Sequence, residues 1–249
     1  MADLPTVRDW VRGAAKIAVL SGAGISAESG VPTFRDAQTG LWANYDPQRL
    51  ATEEGFRADP SLVWRWYAGR REKIAAVAPN AGHTALAQFA LRHPGRLTVI
   101  TQNVDGLHQH AGSAHVLALH GNIAEDKWLD PCAMPQRLGG GCSTSSAQPG
   151  QPPRCTQCGN LVRPAVVWFG ESLPATTLAA AESAALVCDL MLVVGTSGEV
   201  YPAAGLAFAA QEAGAKVVVV NTEASALDFL ASAVLRGKSA ELLPQLLED

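Results

Sequence analysis

Residues 20–35 read LSGAGISAESGVPTFR, and their first residue is the last of the apolar run of residues 17–20. The apolar run predicts a buried strand, and the glycines after it predict a tight turn. Gly22 and Gly24 permit a close approach of the backbone that a Cβ atom would block. A helix starting near Ile25 would direct its free N–H groups towards a diphosphate. The stretch therefore indicates a nucleotide-binding turn at the end of the first strand.

The spacing of Gly22, Gly24 and Ala27 matches the pattern G-x-G-x-x-G/A of dinucleotide-binding turns. In an ordinary dehydrogenase, the helix after this turn leads into a second strand, with an acidic residue about twenty positions on. Here Gly30 and Pro32 are expected to end the helix within two turns, and no β-branched run follows in the next part of the chain. We therefore expect a nucleotide site that is not of the dehydrogenase type.

The composition is that of a chain that can bury a large core. Its 249 residues are 48% hydrophobic and 17% charged, and the formal net charge is −4. This balance provides no bulk electrostatic attraction to nucleic acid or to anionic membranes. Residues 1–10 hold no apolar signal, and no run of about 18 apolar residues occurs. We expect a cytoplasmic protein with no nucleic-acid or membrane partner, and the oligomeric state stays open.

Short apolar runs alternate with helical stretches along most of the chain. The predicted strands are residues 17–20, Leu97–Thr101, 116–119, 165–168, Leu190–Val194 and 217–220, and the predicted helices are Ala81–Arg92, 174–187 and 203–213. This alternation is typical of a Rossmann-like, doubly wound parallel α/β sheet.

Two stretches interrupt the alternation without a strand for that sheet, residues 36–79 and 122–164. We expect them to form a smaller inserted domain with a helical and a cysteine-containing part. Residues 1–35, 80–121 and 165–249 would form the nucleotide-binding domain. Ligands should bind between the two, at the carboxyl ends of the strands.

Further motifs give the chain a family resemblance. GAGIS at residues 22–26 is followed by GVPTFR (30–35), TQNVDGLH (101–108), LHGN (119–122), VVWFGE (166–171), VGTS (194–197) and NTE (221–223). In this order the motifs resemble those of the sirtuins, the NAD-consuming protein-lysine deacylases, over nearly the whole chain. The resemblance implies NAD as co-substrate and acyl-lysine proteins or peptides as substrates. The implied products are nicotinamide, O-acyl-ADP-ribose and free lysine.

The same resemblance implies roles for single residues. His120 would be the general base on a ribose hydroxyl, and Asn103 would be a second catalytic residue. The residues implied to bind NAD are Gly22, Ala23, Gly24, Phe34, Arg35, Gln102, Asn103, Asp105, Gly195, Thr196, Ser197, Asn221, Thr222, Glu223 and Ser239. An alternative holds for Gln102, Asn103 and Asp105, because such side chains also bond their own backbone in turns.

A helix that starts at Asp59-Pro60 carries Tyr67 and Arg70, which lie on one face because they are three residues apart. In the sirtuin branch that removes malonyl, succinyl and glutaryl groups, a Tyr-x-x-Arg motif in this place binds the acyl carboxylate. A guanidinium can hold a carboxylate through two parallel hydrogen bonds, and a phenol adds a third donor. The alternative is an amphipathic helix whose arginines face water.

The resemblance also assigns the segment after residue 166 to the substrate peptide, which would add a strand through backbone hydrogen bonds. The implied substrate-binding residues, besides Tyr67 and Arg70, are Val167, Trp168, Phe169, Gly170 and Glu171. Trp168 and Phe169 could equally be core aromatics.

The cysteines indicate a metal site of unusual spacing. Five cysteines, an odd number without a secretory signal, favour thiols or a metal over disulfides. Cys155 and Cys158 form a C-x2-C pair, and Cys132 and Cys142 are the other candidates for a structural Zn²⁺ site. The alternative is a degenerate site without metal.

Three functions remain open at this point. The first is an NAD-dependent deacylase that prefers succinyl or malonyl groups and also removes acetyl groups. The second is a plain deacetylase or a mono-ADP-ribosyltransferase of the same fold. The third is a non-catalytic NAD or ADP-ribose binding module, which would not need His120.

Overall fold

The structure is a computed structural model, and it describes residues 2–32, 46–131 and 148–248. The strands are β1 (Ile17–Ser21), β2 (Leu97–Thr101), β3 (Val116–Ala118), β4 (Gly121–Trp128), β5 (Val162–Val166), β6 (Leu190–Val194), β7 (Lys216–Asn221) and β8 (Ala233–Arg236). The helices are α1 (Leu4–Gly13), α2 (Gly24–Ala27), α3 (Pro47–Leu50), α4 (Glu53–Ala58), α5 (Pro60–Ala75), α6 (Ala81–Arg92), α7 (Leu107–His110), α8 (Ala175–Val187), α9 (Gly205–Glu212) and α10 (Ser239–Leu246). No helix of these described stretches has both the length and the apolar character needed to cross a bilayer.

The main sheet has the order β3-β2-β1-β6-β7-β8, and every neighbouring pair is parallel. Counted among themselves, these strands follow the order 3-2-1-4-5-6 of a Rossmann sheet. Ile17 at the start of β1 lies in register with Leu97 of β2 and Leu190 of β6. The predicted Rossmann-like fold is confirmed.

Helices cover both faces of the main sheet, as the continuous apolar strands predict. Val19 of β1 packs into a core with residues of α1, α6 and α10, such as Val7, Leu86 and Leu243. The next residue, Leu20, packs on the opposite face in a core with residues of α8 and α9. Each such fully buried side chain contributes about 1.5–3 kcal/mol.

The prediction for residues 165–168 was wrong in place and in partner. The strand there is β5, which ends at Val166 and pairs antiparallel with β4 in a separate two-stranded sheet. The sixth strand of the main sheet is instead β8, which the sequence analysis missed. Its four residues, AVLR, are too few and too polar at one end to stand out as an apolar run.

The helix α5 begins as predicted. Pro60 is its first residue, and the Asp59 carboxylate accepts a hydrogen bond from the Leu62 amide at 2.9 Å. This is the contact expected of an N-cap residue.

A third hydrophobic cluster lies apart from the two cores of the main sheet. It joins α4, α5, β4 and the end of β5 through Phe56, Val63, Tyr67, Ile123 and Trp168, among others. The division into a large and a small domain stays a prediction, and this separate cluster supports it.

Candidate active site

A cleft of about 1980 Å³ runs along the carboxyl ends of β1, β2, β6 and β7, with the third cluster on its other side. A typical small-molecule site occupies about 300–1,000 Å³. The cleft therefore has room for a dinucleotide together with part of a second substrate. Its position at the ends of parallel strands is the one predicted from the sequence.

The glycine turn after β1 is held against the turn after β6. The Gly22 amide donates to Val194 O at 2.9 Å, and the Gly24 amide donates to Gly195 O at 2.8 Å. A Cβ atom on Gly24 would lie 2.7 Å from the Gly195 Cα atom, so a side chain does not fit there. Packing between the two turns thus requires these glycines before any ligand is considered.

The helix after this turn is shorter than the phosphate-binding interpretation expects. α2 has four residues, one turn, so its dipole is small. The amides of Gly22 and Gly24 are already bonded within the protein, so Ala23 is the residue of this turn whose amide can serve an anion. Gly22, Ala23 and Gly24 all line the cleft.

Side-chain amides connect the strand ends at the floor of the cleft. Asn103 Nδ2 donates to Gly22 O and to Ser26 Oγ, both at 3.1 Å. Gln102 Nε2 donates to Thr196 Oγ1 at 3.2 Å. These contacts hold the ends of β1, β2 and β6 together and fix the two amide side chains in the cleft lining.

Asp105 makes the contact of a turn residue and also lies in the cleft lining. Its buried carboxylate accepts a hydrogen bond from the Leu107 amide at 2.9 Å, as a turn residue would. It also lines the cleft beside Asn103.

His120 lies in the cleft between β3 and β4. Its Nδ1 atom is 2.8 Å from the backbone oxygen of Gln102. A carbonyl oxygen can only accept, so Nδ1 carries the proton and Nε2 keeps a free lone pair. Burial lowers the pKa of the imidazole, although the Gln102 contact acts in the opposite direction. The ring is therefore a neutral base near pH 7.

Behind the glycine turn lies a buried polar group of two serines and two histidines, to which the sequence analysis assigns no function. His108 Nε2 is 2.9 Å from Ser21 Oγ, and His83 Nε2 is 3.4 Å from Ser26 Oγ. Burial lowers the pKa of both histidines, that of His108 to about 3. In the sequence, this buried group is indicated only by Ser21 and Ser26, the two serines that flank the glycine turn.

Tyr67 and Arg70 both line the cleft from α5. Tyr67 is buried, and burial raises the pKa of its phenol, so the group stays protonated. The Arg70 guanidinium is partly buried, 4.9 Å from the centroid of the Trp66 ring, and burial lowers its pKa. Arg71 instead binds Ile123 O and Asp126. Arg70 is therefore not a solvated residue of the helix surface.

The segment after β5 is tied into the protein through its amides. The Val167 amide donates to His120 O and the Phe169 amide donates to Ala51 O, both at 2.9 Å. The Trp168 amide donates to the Glu171 carboxylate at 2.8 Å. These three amides are engaged within the protein and do not pair with a peptide strand.

The two aromatic residues of this segment differ in their surroundings. Trp168 belongs to the third cluster and is 2% exposed, as a core aromatic would be, whereas Phe169 is 54% exposed. Glu171 forms an ion pair with the buried Arg163, which gives its carboxylate a structural role. The predicted roles of these residues in substrate binding stay predictions.

The remaining predicted NAD residues lie directly after β6, at and after the end of β7, and at the first residue of α10. Asn221 Nδ2 donates to Thr196 O at 3.3 Å, and Ser239 Oγ donates to the Glu28 carboxylate at 3.2 Å. The cleft lining includes all of them: Gly195, Thr196, Ser197, Asn221, Thr222, Glu223 and Ser239.

Phe34, Arg35, Cys132 and Cys142 lie outside the described residues. Cys155 and Cys158 are described, away from the cleft lining. The described stretches contain no group of three or more His, Cys, Asp or Glu side chains that could hold a metal ion.

Comparison with known proteins identifies the family. The Sir2 family model matches residues 22–202. An "NAD-dependent protein deacylase" of Ralstonia nicotianae is 52% identical over 240 residues, which cover 96% of this chain and 94% of that protein.

Solved structures agree with this match. A Sir2 homologue in complex with NAD has a TM-score of 0.84 at 38% identity, covering 99% of this chain and 93% of that one. A Sir2 protein with a p53 peptide and NAD⁺ has a TM-score of 0.80 at 30% identity, covering 99% and 98%. The Rossmann order of the sheet, the cleft at its switch point and this match over most of the chain lead to one conclusion: the chain belongs to the Sir2 family.

Proposed function

We propose that this protein is an NAD-dependent protein-lysine deacylase that prefers acidic acyl groups such as succinyl and malonyl and also removes acetyl groups. One observation carries the proposal. A neutral histidine base, a set of uncharged hydrogen-bonding groups and a Tyr-Arg pair line the same cleft. The names of the relatives support the deacylase activity, and the Tyr-Arg pair supports the acyl preference.

The chemistry of the donor set fits NAD. The amides of Gln102 and Asn103 suit the uncharged carboxamide of nicotinamide, and the Ala23 amide in the glycine turn suits an oxygen of the diphosphate. Asn221 and Glu223 at the end of β7 suit the hydroxyls of the adenosine ribose. When bound, NAD supplies an ADP-ribosyl group that accepts the acyl group released from lysine.

His120 is proposed to act as the general base. Its Nδ1–H bond to Gln102 O fixes the ring and leaves Nε2 to take a proton from a ribose hydroxyl. Asn103, fixed by Gly22 O and Ser26 Oγ, would orient the substrate next to it.

Arg70 and Tyr67 are proposed to bind the acyl carboxylate. A charge-assisted hydrogen bond in such a buried place is worth about 1.5–3 kcal/mol. Arg70→Met should therefore lower kcat/KM for a succinyl-lysine peptide by roughly 10- to 100-fold and leave acetyl removal nearly unchanged.

The test is mass spectrometry of matched succinyl-lysine and acetyl-lysine peptides, with and without NAD. Arg65→Met is the control, because Arg65 lies on the exposed side of the same helix. If the protein removes acetyl but not succinyl groups, and Arg70→Met removes acetyl groups at the wild-type rate, the protein is a plain deacetylase. Transfer of ADP-ribose to the peptide would favour a transferase, and absence of any NAD-dependent product would favour a binding module.

A structural Zn²⁺ is proposed at Cys155 and Cys158, together with Cys132 and Cys142. The described pair is compatible with this, since the Gly159 amide donates to Cys155 O at 3.0 Å and Gly159 has a φ of +73°. The C-x2-C spacing across such a turn is typical of one half of a tetrahedral zinc site. Zinc analysis of the purified protein should give one ion per chain and a loss of zinc in Cys158→Ser. A metal-free protein of full stability would contradict the site.

A cytoplasmic location and acyl-lysine proteins as physiological substrates belong to the same proposal.

A further inference from the structure

Tyr67 is joined to the segment after β5 by a buried hydrogen bond. Trp168 Nε1 lies 2.8 Å from Tyr67 Oη, and the two residues are 2% and 3% exposed. An indole N–H can only donate, so the tyrosine oxygen is the acceptor. The phenolic proton of Tyr67 is thereby left for a second acceptor.

The indole of Trp168 is itself held in place by charged neighbours. The Arg163 guanidinium lies over the ring, 3.3 Å from its centroid, and Arg163 is 1% exposed. Arg163 also donates to Val166 O at 2.8 Å and pairs with Glu171. The Glu171 carboxylate in turn accepts the Trp168 amide at 2.8 Å. Backbone and side chain of Trp168 are therefore fixed together.

The N–H of the Trp168 indole reaches the cleft through Tyr67, and Arg163 acts on it only through the indole. Arg163 is absent from the cleft lining, which includes Tyr67, Arg70 and Trp168 itself. With its acceptor site filled by Trp168, Tyr67 can offer the cleft only a donor. A carboxylate accepts such a donor strongly, whereas the methyl group of an acetyl-lysine makes no use of it.

We propose that Trp168 is a positioning residue that turns the Tyr67 hydroxyl into a dedicated donor for the acyl carboxylate, with Arg163 and Glu171 fixing the indole. This inference rests on the proposed preference for acidic acyl groups. It assigns that preference to a residue outside the Tyr-x-x-Arg motif.

The test compares kcat/KM for succinyl-lysine and acetyl-lysine peptides in Trp168→Phe, Tyr67→Phe and the double variant. Phenylalanine keeps an aromatic ring but lacks the donor. We expect Trp168→Phe to lower the succinyl-to-acetyl ratio about three- to tenfold. In the Tyr67→Phe background the same change should leave the ratio as it is, because the group that Trp168 orients is already gone.

Trp64→Phe is the matched control. Trp64 lies on α5, the helix of Tyr67, but outside the cleft lining, so its exchange should leave the succinyl-to-acetyl ratio unchanged. Circular dichroism establishes that each variant is folded. A purely structural role of Trp168 predicts an equal loss on both peptides, with or without Tyr67, and that result overturns the proposal.

The two proposals fail separately. If the wild-type protein removes no succinyl group, the acidic preference fails and with it the basis of the inference. If the wild type prefers succinyl and Tyr67→Phe abolishes the preference but Trp168→Phe does not, only the positioning role fails.

Discussion

A backbone contact decides which nitrogen of His120 can act as a base. The Nδ1–H group donates a hydrogen bond to Gln102 O, so Nε2 carries the lone pair. Burial lowers the pKa of the ring, which keeps this base neutral at the pH of a cell. The ring thus has, without any ligand, the protonation state that the proposed general base requires.

A pH profile tests this protonation state. Protonation of Nε2 removes the base, so kcat/KM should fall on the acid side, with a midpoint below the ordinary histidine value of about 6.5 because burial lowers the pKa. Initial rates of deacylation at saturating NAD between pH 5 and 9 measure it. His120→Ala should lose about 10²- to 10⁴-fold in kcat at pH 7.5. An acid limb centred above pH 7, or an active alanine variant, would contradict the role.

The helix α5 presents Tyr67 and Arg70 to the cleft. The start of this helix is fixed by a contact between residues that are close in the chain. The Asp59 carboxylate caps the Leu62 amide, and Pro60 supplies the first residue of the helix. These two signals made the start predictable from the sequence, since capping depends on residues close in the chain.

Removal of the cap should weaken the helix without changing its path. Asp59→Ala is expected to lower the free energy of unfolding by about 1 kcal/mol, because the Leu62 amide loses its acceptor. Urea unfolding followed by circular dichroism measures the change. Glu72→Ala, at an exposed position of the same helix, is the control and should have little effect. Equal losses in the two variants would refute the capping role.

The sequence predicted the elements of the main sheet better than those of the inserted part. β2 and β6 were predicted with the bounds that the structure has, because apolar runs buried on both faces of a parallel sheet leave few alternatives. The bounds of α6 were also predicted correctly. β5 was assigned to the main sheet because a short apolar run does not reveal its partner strand. β4 was missed because its exposed residues, such as Glu125 and Asp126, leave little apolar pattern.

Residues of the candidate site that belong to sequence motifs could be predicted. Contacts of the site that depend on packing between distant residues could not. The resemblance named His120, Tyr67 and Arg70, and the structure brings all three to one cleft. It could not show that Trp168 bonds to Tyr67, since the two are 101 residues apart in the chain. Contacts of that kind depend on the tertiary fold.

The buried histidines are expected to make the stability of the whole protein depend on pH. In the unfolded chain His108 has a pKa of about 6.5, whereas burial lowers it to about 3 in the folded protein. Between these values the unfolded state binds the extra proton, so stability falls as the pH falls from 6.5 towards 3. His83 acts in the same direction.

Urea unfolding at two pH values measures this linkage. The free energy of unfolding should be about 1.4 kcal/mol lower at pH 5.5 than at pH 7.5 from His108 alone. His108→Gln should reduce the difference, whereas His110→Gln, at an exposed position, should keep it. An unchanged difference in His108→Gln would show that other groups cause the acid sensitivity.

The third hydrophobic cluster limits the mutations by which members of this family can change the acyl groups that they accept. Tyr67 and Trp168 belong to that cluster, so an exchange of either residue is expected to change folding stability as well as the proposed acyl preference. Arg70 touches only the edge of the cluster, with its guanidinium 4.9 Å from the centroid of the Trp66 ring. Under the proposed function, a lineage would therefore abandon acidic acyl groups in one step at the arginine. Reaching a new preference through the aromatic pair would require compensating mutations first.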